Sequence, residues 1–417
     1  SRNSFLSGLR PATTGLRGFG KTIREAVPGV VTLPQHFKQH GYHAAAFGKV
    51  FHVYAETGLG SEDDPASWSE PLVLPKNPVW GPEQEVVRAR LIADARAAGK
   101  EFKHSHDWPR AGAIDAPEVA DEALRDGETA GRAGAFLRGR AGKKEEPFFL
   151  AVGFYQPHLP FVAPRKYFEL YDPDKLPLPA NDFPPRDAPA GTLNPGMVAN
   201  FHDFPPPAGQ DAAFKRRYLQ AYLASISYMD ACVGRVLAAL DAAGLRESTL
   251  VVFAGDHGYL MGEHGSWGHK HSNYEMATRA PLLIADPRRP AGAHTAALVE
   301  FVDLYATLAE LAGLPAPARH DGRSFAALLA DPALPGKAAV FSEIMRGGRL
   351  GRAVRTVTHR YVEWTNRAGA VVGRELYDQV GDPDENQNLA GQGAHAAWVE
   401  RLSAELKKTG GAPGDSR

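Results

Sequence analysis

Short apolar runs alternate with amphipathic stretches through much of the chain, and three of the runs end in a polar cluster. His43-Ala44-Ala45-Ala46-Phe47 leads into Gly48-Lys49-Val50-Phe51-His52, and Phe148-Phe149-Leu150-Ala151-Val152-Gly153 leads into Tyr155-Gln156-Pro157-His158. The run 249–254 leads into Gly255-Asp256-His257-Gly258. Short apolar runs bounded by turn residues read as buried strands. Between them, Leu219, Tyr222, Leu223, Ile226, Met229, Val233, Val236, Leu237 and Leu240 recur at spacings of three and four. That period predicts one apolar stripe on a helix of roughly seven turns, with Gly244 as its stop. Shorter helices are expected over 33–40, closed by Gly41, and over 302–312, closed by Gly313. The alternation predicts an α/β domain with a mainly parallel central sheet flanked by helices.

Two stretches break the alternation. Residues 54–112 and 159–213 are rich in proline and charge, with little period, and are expected to be long binding loops. Beyond about residue 338 the pattern shortens. Residues 354–358, 360–364 and 374–377 predict short strands of a small antiparallel subdomain. The expected division is a catalytic domain over 1–337 and a C-terminal α+β subdomain over 338–417, ending in a Gly/Pro-rich tail.

Composition narrows the possibilities. The formal net charge of −1 provides no global field for nucleic acid or an acidic membrane. No apolar run approaches the roughly 18–20 residues needed to span a bilayer, and no leader peptide is visible. Cys232 is the one cysteine, which excludes an internal disulfide and a Cys-rich zinc site. It falls inside the apolar helical pattern and reads as a buried, inert thiol.

The chemistry concentrates at the strand ends, where ligands bind in open α/β sheets. Asp256 and His257 offer a carboxylate oxygen and an imidazole nitrogen, which suit a divalent cation. The same pair also fits a strand-end Asp capping a turn beside a structural His. Lys49, His52, His158 and Lys270 occupy similar boundaries. Singly, such residues are ordinarily solvated. Together they would make a cationic, proton-donating pocket for a sulfate or phosphate ester, whose oxygens need positive charge and whose leaving oxygen needs a proton. Zinc ligation by His257, Glu263 and His264 is a competing reading, although Gly258, Gly262 and Gly265 break any helix that would align them.

These segments resemble the sulfatase family of the alkaline phosphatase superfamily, and most closely its iduronate-2-sulfatase-like branch. Ser1-Arg2-Asn3-Ser4-Phe5-Leu6-Ser7-Gly8 is similar to the second part of the signature Cys-x-Pro-Ser-Arg-x-x-x-Leu-Thr/Ser-Gly. Segments 48–52, 156–161, 255–258, 262–265 and 267–273 resemble the family's active-site segments in the same order, with one extra residue before Lys270. Segments 375–378 and 382–389 resemble its C-terminal subdomain.

The resemblance implies a sulfuric ester hydrolase acting on a sulfated carbohydrate. Its nucleophile would be a formylglycine made from a Cys or Ser, whose hydrated form attacks sulfur, with Ca2+ or another divalent cation holding the sulfate. Asp256 and His257 would ligate the metal. Arg2 would hold the formylglycine, and Lys49 and Lys270 the sulfate oxygens. His158 or Lys270 would protonate the leaving alcohol, and His52 would assist collapse of the sulfated intermediate. The signature Cys would lie three residues before Ser1, and the family's Asp-bearing first strand is not in the sequence. Truncation, processing, or a separate N-terminal segment or chain completing the site are the expected explanations. A periplasmic, secreted or lysosome-like location is also implied. Two further readings stay open: a phosphonate or phosphate monoester hydrolase on the same fold, and an inactive sulfatase-like protein that binds sulfated glycans.

Overall fold

The structure, a computed structural model, describes residues 1–18, 20–52, 63–103, 107–143 and 145–409. The expected tail at 410–417 lies outside the described residues, as do 54–62 and 104–106 of the first expected loop. The chain divides into two compact units. One comprises Ser1–Leu33, Pro179–Val198 and Leu250–Arg417, and the other Pro34–Leu178 and Ala199–Thr249.

The Pro34–Leu178/Ala199–Thr249 unit is built on two parallel strands, His43–Gly48 and Phe148–Gly153, paired residue for residue from His43↔Phe148 to Gly48↔Gly153. The Ala-rich strand is buried, and its small side chains let the helix Arg125–Arg138 approach: Ala45 and Phe47 pack on Ala133. Both strands end in glycine for a steric reason. Gly48 has φ +73°, and a Cβ there would lie 2.2 Å from the Gly153 carbonyl oxygen. A Cβ on Gly153 would lie 1.9 Å from the Lys49 carbonyl oxygen. No side chain fits at either position.

The long helix runs Ala212–Ala242, 31 residues, beyond the predicted stripe at its N-terminal end. Asp211 caps it by accepting the Phe214 N–H, and Gly244 follows its end with φ +70°. Of the predicted large residues only Leu240 is buried, and the others are half-buried. The fully buried face carries Tyr218, Ala221, Ala224, Ser225, Tyr228 and Cys232, because close helix–helix approach favours small side chains. Tyr228 accepts the Gly127 N–H and donates to the Asp121 carbonyl, both at 2.8 Å. Burial pushes the Cys232 thiol far up, as expected of an inert thiol. By length and composition alone this helix could cross a membrane, but its buried face is packed inside this unit.

One expectation fails here. Residues 54–112 contain the 16-residue helix Pro82–Ala97. Its ends carry ordinary signals: Pro82 at the first position, Glu83 and Glu85 in the first turn, Arg96 in the last. None of its residues is fully buried, so it has no apolar period to detect.

In the other unit, strand Val251–Ala254 pairs with Leu282–Ala285 antiparallel, an antiparallel member of the mainly parallel scheme. The helix Asp303–Leu311 follows, closed by Gly313 at φ +68°. The C-terminal part is a four-stranded antiparallel meander, Val340–Arg346, Arg349–Arg355, His359–Thr365 and Val371–Asp378. Its first strand is half-buried along its length and carries no clean alternation, which is why three strands are expected and four are found. The expected strand 354–358 overruns. Residues 356–358 form the turn, and Val357 is exposed there. Leu402 and Leu406 of the helix Ala396–Lys408 close the sheet over Val354, Tyr361 and Leu376.

Candidate active site

Strand Val251–Ala254 delivers Asp256 and His257 into the turn that follows it. The opening helix Arg2–Ser7 supplies Arg2, whose Nε donates to Asp256 Oδ2 at 2.8 Å. The His257 ring is oriented by its own turn, with Nδ1 donating to the Gly258 carbonyl at 2.7 Å. Burial, reinforced by Lys270 and Arg2, pushes its pKa down to about 4. The ring is therefore neutral at pH 7, with the proton on Nδ1 and a lone pair on Nε2. That lone pair lies 3.4 Å from Asp256 Oδ1. Two electron-pair donors with no proton between them repel, and a shared cation removes the repulsion. The donor set thus fits a divalent ion, to which it supplies two ligands.

Lys270 sits in the field of the same groups. Burial, with Arg2 adding to it and Asp256 opposing, pushes its pKa down to about 8. An ammonium held this close to neutrality can bind an anion or give up a proton. Arg2, Asp256, His257 and Lys270 are thus brought together within one unit.

The zinc alternative fails. Glu263 turns back to accept the Met261 N–H at 2.7 Å, and the His264 ring packs on Tyr274. Among the described residues no group of three or more His, Cys, Asp or Glu could hold a metal.

In the other unit, the strands ending at Gly48 and Gly153 release Lys49 and the Tyr155–Pro160 turn side by side. Lys49 Nζ stands 5.5 Å from the centre of the Tyr155 ring. His158 Nδ1 donates to the Leu159 carbonyl at 2.7 Å, which leaves Nε2 as the reactive nitrogen. His52 follows the fully buried Phe51 and is half-buried.

Two residues here escaped the sequence reading. Asp126, fully buried at the start of helix Arg125–Arg138, accepts the Tyr155 N–H at 2.9 Å and the Gln156 N–H at 2.8 Å. It clamps the turn that carries His158. Burial raises its pKa, against the pull of Arg125, the two N–H donors and Lys49. Arg125, also buried, lies over the Tyr155 ring at 3.9 Å. Adjacent Arg and Asp at a helix start look like ordinary surface charge, so only the tertiary contact exposes them.

The architecture is that of the alkaline phosphatase-like hydrolases. A phosphonate monoester hydrolase from Silicibacter pomeroyi superposes with a TM-score of 0.73 at 22% identity, over 98% of this chain and 84% of its own. A 2-O GAG sulfatase superposes with a TM-score of 0.69 at 23% identity, over 98% and 80%. Sequence goes further than fold. The sulfatase family model matches residues 1–314, and that of the N-sulphoglucosamine sulphohydrolase C-terminal region matches 262–411. A sulfatase of Formosa agariphila is 32% identical over 98% of this chain and 76% of its own. Iduronate 2-sulfatase of Mus musculus is 30% identical over 96% and 84%. The chain belongs to the sulfatase family, as its motifs implied, and is a sulfuric ester hydrolase. In general, that family implies a formylglycine and a divalent cation.

Proposed function

We propose that the protein removes sulfate from a sulfated sugar. The observation that carries this reading is the half-buried Lys270 in the field of Arg2, Asp256 and His257, a cationic set with a cation-binding pair inside it. The names of its relatives, iduronate 2-sulfatase among them, support a sugar as the leaving group. By the same likeness we place the enzyme outside the cytoplasm, in a periplasmic, secreted or lysosome-like setting.

A formylglycine would supply the nucleophile, and a calcium or similar ion the positive charge on the sulfate. This chain's residues do the rest. Asp256 and His257 would hold the ion, and the Gly258 carbonyl fixes the imidazole tautomer that leaves a lone pair on Nε2. Arg2 fixes the Asp256 carboxylate through Nε and would hold the formylglycine. Lys270 would neutralise the sulfate oxygens, where negative charge gathers in the transition state, a role the family resemblance also gives Lys49. His158, oriented by Asp126 and its own turn, would in its imidazolium form protonate the leaving oxygen from Nε2, or Lys270 would do so. His52 would serve as a proton acceptor beside the nucleophile.

The fold likeness to the phosphonate monoester hydrolase favours a second reading, hydrolysis of phosphonate or phosphate monoesters. The deciding experiment incubates the matured protein with sulfated disaccharides, an aryl phosphate and a phosphonate monoester. Release of sulfate from the sugars is expected. Phosphate or phosphonate turnover without sulfate release would overturn the first reading.

A further inference from the structure

The C-terminal meander opens with a tight hairpin, Arg346-Gly347-Gly348-Arg349, whose two glycines have φ +53° and +75°. Both central residues are left-handed, the requirement of the turn that best matches strand twist. The register then sets Arg346 directly opposite Arg349. Like charges at opposed positions destabilise a hairpin. Among the described residues no carboxylate forms an ion pair with either guanidinium. Arg346 instead donates to neutral acceptors: the Gly191 carbonyl at 2.9 Å, the His271 carbonyl at 3.4 Å, and the Asn194 side-chain oxygen. Arg349 donates to the Ala190 carbonyl at 2.9 Å. Burial holds the Arg346 guanidinium below its usual pKa, as befits a charge facing no anion.

The pair borders a cavity of about 440 Å³, lined by Asn194, His271, Met345, Arg346 and Arg349 with Gly191 and Gly347. No acidic residue lines it. The bond from Arg346 to the His271 carbonyl ties the hairpin to the residue next to Lys270, and Asn194 reaches His269 at 3.5 Å on the other side. The cavity therefore adjoins the Lys270 segment. It is sized for a sugar ring substituent and lined by two unneutralised forks suited to planar anions.

We infer that the Arg346–Arg349 hairpin and Asn194 form a subsite for a second anionic group of the substrate, a carboxylate or a further sulfate on the same sugar or its neighbour. This inference rests on the sulfated-sugar reading. An anion there neutralises the opposed guanidiniums, so binding should also stabilise the hairpin. Neutral sulfated sugars gain nothing from it.

The test has two substrate arms and one non-catalytic arm. In the first, a 2-O-sulfated hexuronate is compared with its carboxyl-reduced counterpart. In the second, a disulfated hexosamine is compared with the monosulfated sugar. For the protein and for R346Q and R349Q, the selectivity in kcat/KM for the doubly anionic member is measured. That selectivity should fall about tenfold or more in each variant, through KM, in whichever arm carries the natural group. Calorimetric titration with an unsulfated hexuronate and with inorganic sulfate reads the subsite without turnover. Its failure is thus separable from failure of the sulfatase reading. Arginine-dependent binding in a protein that hydrolyses no sulfate ester would sink only the latter. Selectivity and binding unmoved in both variants would overturn the subsite. R349Q, which gives up the contact to Ala190, guards against R346Q failing to fold, and R346K separates charge from fork geometry.

Discussion

Tyr274 donates its hydroxyl to Glu375 at 2.5 Å, and so anchors the segment that carries Lys270 to the C-terminal sheet. Tyr377 donates to the same carboxylate oxygen and Trp364 Nε1 to the other, both at 2.6 Å. Glu375 is buried, so removing it orphans three donors in a dry core. Glu375→Ala should cost about 3–5 kcal/mol of stability, measured by urea unfolding. Glu375→Gln keeps the shape and one acceptor oxygen, and should cost less. Equal midpoints for Ala and the native protein would show that the network contributes nothing.

His264 predicts a pH dependence. Burial pushes its pKa down to about 4, against the pull of Asp382 and Asp384. In the unfolded chain an imidazole titrates near 6.5. Between those values the unfolded state binds the proton and the folded state does not. Stability is therefore complete above about pH 6.5 and falls as pH drops toward 4, by roughly 3 kcal/mol from this group. His264→Asn should flatten that slope, since Asn tolerates the residue's φ of +58° and does not titrate. Urea midpoints of both proteins from pH 7.5 to 4.5 make the comparison, and parallel curves would dismiss the effect.

The cation site makes a simple demand. Asp256→Asn removes the charge opposite His257 Nε2 and loosens Arg2. Calcium affinity, read by calorimetry, should fall about tenfold or more, with activity falling alongside it. Chelation should lower the melting temperature of the native protein more than that of the variant. An unchanged affinity would remove Asp256 from the ligand set.

His158 and Asp126 should be separable. Loss of a general acid matters most when the leaving alcohol is poor, so His158→Ala should lose about 100-fold or more on sugar sulfates and much less on activated aryl sulfates. Asp126→Asn leaves the acid in place but unclamps its turn, and should lower both rates together while destabilising the fold. A His158→Ala loss equal on both substrates would refute the acid role.

What the sequence discloses follows from where the information lies. The strand 148–153 and the Gly244 and Gly313 stops rest on local chemistry, and they stand where pattern predicts them. The motif segments from Lys49 to Lys270 could be picked out because each follows a strand or turn with a distinctive neighbour. The helix Pro82–Ala97 was not, since its residues all face water or half-face it. Asp126 was invisible for the opposite reason. Its role is made entirely by backbone N–H groups 29 and 30 residues away. The cross-strand pairing of Arg346 with Arg349 could have been read from the Gly-Gly turn, but that strand lacked the alternation that marks a hairpin arm.

The paired glycines at the ends of strands His43–Gly48 and Phe148–Gly153 constrain more than geometry. Each fills the space that a methyl group on the other strand's path would need. Neither position can acquire a side chain singly, and neither can be relieved by changing the other, because the obstructing atoms are backbone. Lys49 and the Tyr155 turn both start from this junction. A laboratory library can vary the surrounding residues, but the point from which both leave the sheet accepts only glycine.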